Sequence, residues 1–235
     1  MDDKYRGWDE ETYILSIGPE SKQLFVPRKI LTQIPYFSSA LKSGNFVESE
    51  KKTFHLPDDD AQAVADVLFF TYTGKVEELP GAQDDDPDPE VTTRIKSYLR
   101  AYIFADKCKA ESTANDLASR IIECYDRKMV DPGTISILGE AGLHATPLYG
   151  YLLQAIAIDY QRGFYTMDNA ISSDYEKSMN FEEACNKMSR EELLRLVVIA
   201  ADPEVESKFV HAAKGETYKL CKYHKHDLTK ECTEE

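Results

Sequence analysis

The stretch TFHLPDDDAQAVADVLFFTYTGK, residues 53–75, constrains this chain more than any other. Phe54 and Leu56 alternate with polar neighbours, the period of a short strand with one covered face, so KTFHLP over 52–57 is predicted as that strand. Asp58, Asp59 and Asp60 follow, placed where carboxylates cap free helix amides and favour the positive end of the dipole. The apolar run from Ala61 to about Tyr72 is then the helix they cap, and Thr73-Gly74-Lys75 ends it. A strand handed straight to a capped, strongly apolar helix points to a sheet with helices packed on it.

The preceding residues supply more strands. TYILSIG over 12–18 is β-branched and aromatic and stops at Gly18-Pro19; its alternation is too loose to fix which side faces inward. KQLFVP over 22–27 lies one short turn away, so the two are expected to pair as a hairpin. Pro27 suits a helix start, because a first-turn proline lacks only an amide hydrogen that would be unsatisfied anyway. RKILTQI and YFSSALKSG are predicted as two short helices broken at Pro35, the second closed by Gly44.

Downstream, LPGAQDDDPDPE over 79–90 is acidic, proline-rich and nearly free of apolar residues, which predicts a solvated insertion within a domain. Ile95, Tyr98, Leu99, Tyr102, Ile103 and Ala105 recur with helical period, as do Leu117, Ile121, Ile122 and Tyr125. RKMVDPG over 127–133 is the best boundary. The expected organisation is a front α+β domain over 1–127 and a helical domain over 128–235. Apolar stripes in the latter run through Tyr149, Leu152, Leu153, Ile156 and Tyr160, and through Leu193, Leu194, Val197 and Val198.

Charge and cysteines narrow the partners. A formal net charge of -14 repels phosphate backbones, so nucleic acid is not the expected partner. Five cysteines without framework spacing, and an amino terminus lacking an apolar leader, predict a reduced intracellular setting, cytoplasm or nucleus. The longest apolar runs fall far short of the roughly 20 residues that span a bilayer. No membrane anchor is expected.

At this point the residues resemble a family. FVPRKILTQIPYFSSALKSGNFVESEKKTFHLPDDDAQAVADVLFFTYTGKV is similar to a BTB/POZ domain, and most similar to fungal BTB proteins with a helical carboxyl-terminal region. The matching features are a strand leading into the helix with Ile30-Leu31, the Tyr36-Phe37 pair before a short helix ending at Leu41, a phenylalanine-x-glutamate, the Leu56-Pro57-Asp58 strand end, and a helix running into Tyr72-Thr73-Gly74. The resemblance covers about residues 10–127. It implies a BTB/POZ fold, a short three-stranded sheet flanked by a cluster of helices. Pro27-Arg28 stands where many members carry a basic or histidine residue, and the acidic loop is longer than usual. The segment before Thr12 is short, which leaves a strand-exchanged homodimer without an obvious extra element.

The resemblance also assigns a contact site. Adaptors of this family for cullin-type ubiquitin ligases use a hydrophobic-x-glutamate motif, which Phe46, Val47 and Glu48 fit. Physically, an exposed ring entering a partner's pocket makes a hot spot, and Glu48 would set orientation at the rim. The alternative is that Phe46 folds back and staples the helix end to its own core.

The carboxyl-terminal CKYHKHDLTKEC holds Cys221, His224, His226 and Cys232, four ligands of Cys2His2 type suited to tetrahedral zinc. The His-x-His spacing is tighter than a finger and would need a looped or strand-like backbone. The alternative is a solvated tail with Cys221 packed and Cys232 free. Lys208, Lys214, Lys219, Lys222, Lys225 and Lys230 make this end basic, either a charged face or a contact for an acidic partner.

Enzyme signatures fail. FFTYTGK has Phe69 where a phosphate loop needs its first glycine and Val76 where it needs Ser or Thr. Asp84, Asp86 and Asp88 alternate like calcium ligands, yet Pro89 replaces the turning glycine and Ile95 the bidentate glutamate. His55, His144 and His211 are isolated, which favours structural roles. The expectation is a protein-interaction module, a substrate adaptor for a cullin scaffold carrying an unidentified target. The alternative is a dimerising scaffold or transcriptional regulator without a ligase role, with a zinc-dependent enzyme the weakest reading.

Overall fold

The computed structural model describes residues 11–43, 51–75, 89–125, 130, 132–161, 186, 188–202, 204, 221, 223–227, 229 and 230. Its contacts divide the chain into two compact units, residues 1–117 and 118–235. The expected boundary between 127 and 128 lies outside the described residues.

The first unit begins with β1 (Thr12–Ile17) and β2 (Lys22–Pro27), an antiparallel hairpin in which Leu15 faces Leu24 and Tyr13 faces Val26. Gly18 and Ser21 both adopt positive φ in the turn, and Ser21 N–H donates to the Gly18 carbonyl at 3.0 Å. The 69° φ at Gly18 suits glycine, which has no Cβ to clash there. The faces of β1, which sequence left open, are sharply divided: Tyr13, Leu15 and Ile17 are buried and the residues between them are not. A middle strand has neighbours on both edges, so Ile14 and Ser16 stay half-covered and blur the pattern that sequence shows.

α1 (Arg28–Leu31) follows directly, then α2 (Pro35–Ser43). Pro35 breaks the path as expected and is itself the first residue of α2, a position that tolerates its missing amide hydrogen. Tyr36 N–H, one of the amides a helix start leaves over, donates to the Cys108 carbonyl at 3.2 Å. β3 (Thr53–Leu56) then pairs in parallel with β1, giving the sheet order β2-β1-β3. Phe54 packs against Tyr13 and Phe37, with ring centroids 5.9 and 5.1 Å apart.

The three carboxylates after β3 divide the labour. Asp60 caps α3 (Ala61–Thr73) by accepting from Ala63 N–H at 2.9 Å, and Gly74, left-handed at φ 68°, ends it. Asp59 accepts two bonds from Lys107 Nζ at 2.8 and 2.7 Å, tying the start of α3 to the end of α4 (Pro89–Lys107), while Asp58 is exposed. Asp66 lies buried on the inner side of α3 and accepts from Gln62 at 2.9 Å; burial pushes its carboxyl up, against that hydrogen bond and with the Asp60 charge.

α4 corrects one boundary: Pro89 and Glu90 belong to this helix and not to the solvated insertion expected over 79–90. A proline within three residues of an acidic run looks like loop in sequence, yet it is also the residue that best opens a helix. Of the stripe expected on α4, Ile103 is only half-buried, whereas Ala101 and Phe104 are buried. α5 (Glu111–Tyr125) buries Leu117, Ile121, Ile122 and Tyr125 as its periodicity implied.

The second unit holds α6 (Pro132–Glu140), α7 (Pro147–Gln161) and α8 (Arg190–Ala200), with α7 packed against both others. α7 buries Tyr149, Leu152, Leu153 and Ile156, but Tyr160 at its end is exposed. α8 overturns its expected stripe. Leu194, Val197 and Val198 are exposed at 58%, 64% and 72%, while Glu192 and Leu196 are buried. At its start Ser189 and Glu192 form a capping box, with Ser189 Oγ accepting from Glu192 N–H at 3.3 Å and Glu192 Oε2 accepting from Ser189 N–H at 2.6 Å. The Glu192–Leu196 side faces inward, with the Glu192 carboxylate against Gly139 of α6. At the other end Gln161 Nε2 donates to the carbonyls of Ala200 and Asp202 at 2.8 and 3.3 Å. Among the described residues, no helix is long and apolar enough to cross a membrane.

Candidate functional site

Of the expected site residues, Cys221, His224 and His226 are described and Cys232 is not. Phe46, Val47 and Glu48 also lie outside the described residues, in the connection that leaves α2 and enters β3. So do Asp84, Asp86 and Asp88, His211 and most of the tail lysines.

Cys221 and Tyr223 lie in one tight turn, which His224 N–H closes by donating to the Cys221 carbonyl at 3.0 Å. Two side-chain sets leave this turn in different directions. The half-buried Cys221 Sγ sits 3.3 Å from His226 Nε2, and His226 Nδ1 sits 3.3 Å from Thr229 Oγ1. His224 is instead buried, and its Nε2 shares a 2.9 Å hydrogen bond with the buried Ser119 Oγ on α5. Burial, and secondarily the His226 charge, pushes the His224 imidazole down to about 4, so it is neutral at physiological pH. The adjoining Tyr223 ring packs edge-on to Tyr151, centroids 4.7 Å apart.

This geometry separates the proposed zinc ligands. Cys221 and His226 are close enough to share a cation, but His224 has its Nε2 committed to Ser119, with the ring centroids of the two histidines 6.0 Å apart. Among the described residues, no three of the histidine, cysteine, aspartate and glutamate side chains assemble as a metal-holding group. Lys225 is half-buried beside this turn and Lys230 is exposed.

A second polar cluster was missed by sequence reasoning. Buried Glu192 on α8 lies over Gly139 of α6, where an added methyl would strike its carboxylate. Tyr149, also buried, turns its Oη toward Glu192; burial and then the neighbouring Glu192 charge push its phenol up. His144 stacks near the same ring at 5.3 Å and Arg195 lies over it at 5.9 Å. Arg195 also donates to the His144 carbonyl at 3.3 Å and to Glu191 at 2.9 Å. His144 is half-buried beside this ring. The Ser-x-x-Glu spacing at 189–192 was the legible signal for Glu192, and Ser119 had none.

The segment that resembled a phosphate loop is helical through Thr73 and turns only at Gly74, so it offers no cradle of amides to a phosphate. Comparison of the chain with family models, with curated proteins and with solved structures finds no match.

Proposed function

We propose that the chain is a protein-interaction module with a BTB/POZ-type front domain, acting as a substrate adaptor for a cullin-type ubiquitin ligase. The observation that carries the reading is the element order of the first unit: strand, strand, helix pair, strand, helix, helix pair. The motif residues that resemble the family fall on these elements in the same order, with Leu56-Pro57-Asp58 at the end of β3 and Tyr72-Thr73-Gly74 at the end of α3. The sheet is mixed, in the order β2-β1-β3, and the helix pair comes before β3 in the chain.

In this reading Phe46 supplies the apolar anchor, Val47 flanks it, and Glu48 orients the scaffold helix. The second unit holds the target. The experiment is co-purification of a cullin with the full chain. Phe46→Ala combined with Glu48→Ala should weaken capture by about 30-fold or more, as loss of an aromatic anchor does. Equal capture by wild type and the double variant sinks the adaptor reading.

A second reading, a dimerising scaffold or transcriptional regulator without a ligase role, is favoured by Phe25, Phe69 and Tyr72, rings that the first unit leaves exposed. A Phe25→Ser, Tyr72→Ser chain that stays paired under conditions where wild type is paired would remove it. For the tail, zinc held in part by Cys221 and His226 is a subsidiary proposal. It requires about one zinc per purified chain and its loss in Cys221→Ala; a metal-free wild type ends it.

A further inference from the structure

The outward ridge of α8 is a surface none of whose residues has been given a role above. Arg190, Leu194, Val197 and Ala201 are all exposed, and their spacing of four, three and four residues lines them along one side of the helix, with Val198 beside them. The opposite side, with Glu192 and Leu196, is spent on packing against α7. The ridge also ends in opposite charges. Arg190 stands at its start, where the neighbouring Glu191 is already engaged by Arg195 at 2.9 Å. Asp202 and Glu204 stand just past its end, joined by the Glu204 N–H bond to Asp202 Oδ1 at 2.9 Å.

We infer that this ridge pairs, antiparallel, with the same ridge of a second copy of the chain. An antiparallel pairing about Val197 brings the Arg190 end of each copy toward the Asp202 and Glu204 end of the other. The same pairing brings Leu194 against the small Ala200 and Ala201, large against small, and Val197 against its own copy. A parallel pairing would instead oppose like charge to like charge at both ends and align the two helix dipoles. Three large apolar side chains bury less than the roughly 1,200 Å² of a stable interface, so the pair is weak, with a dissociation constant on the order of 100 μM. The inference stands apart from the cullin reading, since it uses no residue of the first unit.

Sedimentation equilibrium of the full chain, over about 5 to 500 μM, tests it. The average mass of wild type should climb from 26.7 kDa toward twice that value. Val197→Glu should hold the monomer mass throughout; being exposed, it should leave the thermal melt unchanged. Arg190→Glu should weaken pairing about tenfold, and adding Glu204→Arg to it should restore pairing to within about threefold of wild type. A wild type that stays monomeric, a Val197→Glu chain that pairs as wild type does, or a charge swap that fails to restore pairing each overturns the inference.

Discussion

Helices α3 and α8 are made of similar material and face opposite ways. Each opens on a side-chain cap, Asp60 in one and Ser189 in the other, and each carries a dense apolar run with a buried carboxylate. In α3 the apolar run is turned inward, burying Val64, Val67, Leu68 and Phe70 around Asp66. In α8 the run Leu194, Val197 and Val198 is turned outward and the buried side is led by Glu192. Apolar content therefore selects a helix in both units, but the neighbours select its buried face. The carboxylates also differ in what they do: Asp66 receives one hydrogen bond from Gln62, whereas Glu192 completes the capping box at the start of its helix and lies against Gly139.

The largest effect that would break this comparison is at Phe70. Phe70→Ala removes a buried ring from α3 and should cost ~3–5 kcal/mol, read as a fall in the urea midpoint by far-ultraviolet circular dichroism. A cost below ~1 kcal/mol would mean that the inward face of α3 is not the packed one. Next comes Glu192→Ala, which strips the box and leaves a buried gap beside Gly139; we expect ~2–3 kcal/mol, with the Ser189 amide left unanswered. Glu192→Gln keeps an acceptor for that amide and should recover more than half of the loss.

Much of the first unit was legible because its signals are local. Capping by Asp60, the stop at Gly74, the break at Pro35 and the alternation of Phe54 and Leu56 each depend on a few adjacent residues. The inner face of β1 was not legible, since it depends on β3 arriving nearly 40 residues later to cover the second edge. In the second unit the Ser119–His224 bond joins residues 105 apart, and nothing near Ser119 announces it. The tail motif was visible as composition, yet its division into a Cys221–His226 pair and a separately anchored His224 follows from how the turn docks on α5. For α8, hydrophobicity pointed at the wrong side, and the Ser-x-x-Glu box, also in plain view, marks where the helix starts and not which side is covered.

Acidity sharpens the contrast between the carboxylates. Burial raises the Asp66 carboxyl above its unfolded value, so the folded state takes up a proton at higher pH than the unfolded chain does. Asp66 thus weakens the fold at neutral pH, and that penalty fades as pH falls through its folded value toward the unfolded carboxylate range. Asp66→Asn, which keeps the acceptor for Gln62, should be more stable than wild type at pH 7, with the gap in urea midpoints closing by pH 4. A gap that widens in acid would contradict the burial of this group. Asp60→Ala should then cost ~1 kcal/mol through loss of the cap on Ala63.

The smallest effect is the most telling about α8. Val198→Thr swaps one β-branched side chain for another of nearly equal shape and helix preference, so a covered site and an open one give different answers. At a buried position the new hydroxyl would need a partner and cost ~1–3 kcal/mol. At 72% exposure it meets water, and the change in stability should stay within ~0.5 kcal/mol when measured in dilute solution, below the concentration at which copies pair. A loss beyond ~1 kcal/mol in that dilute sample would place Val198 under a cover within its own chain, turn α8 back toward the stripe its sequence suggests, and remove the ridge on which pairing depends.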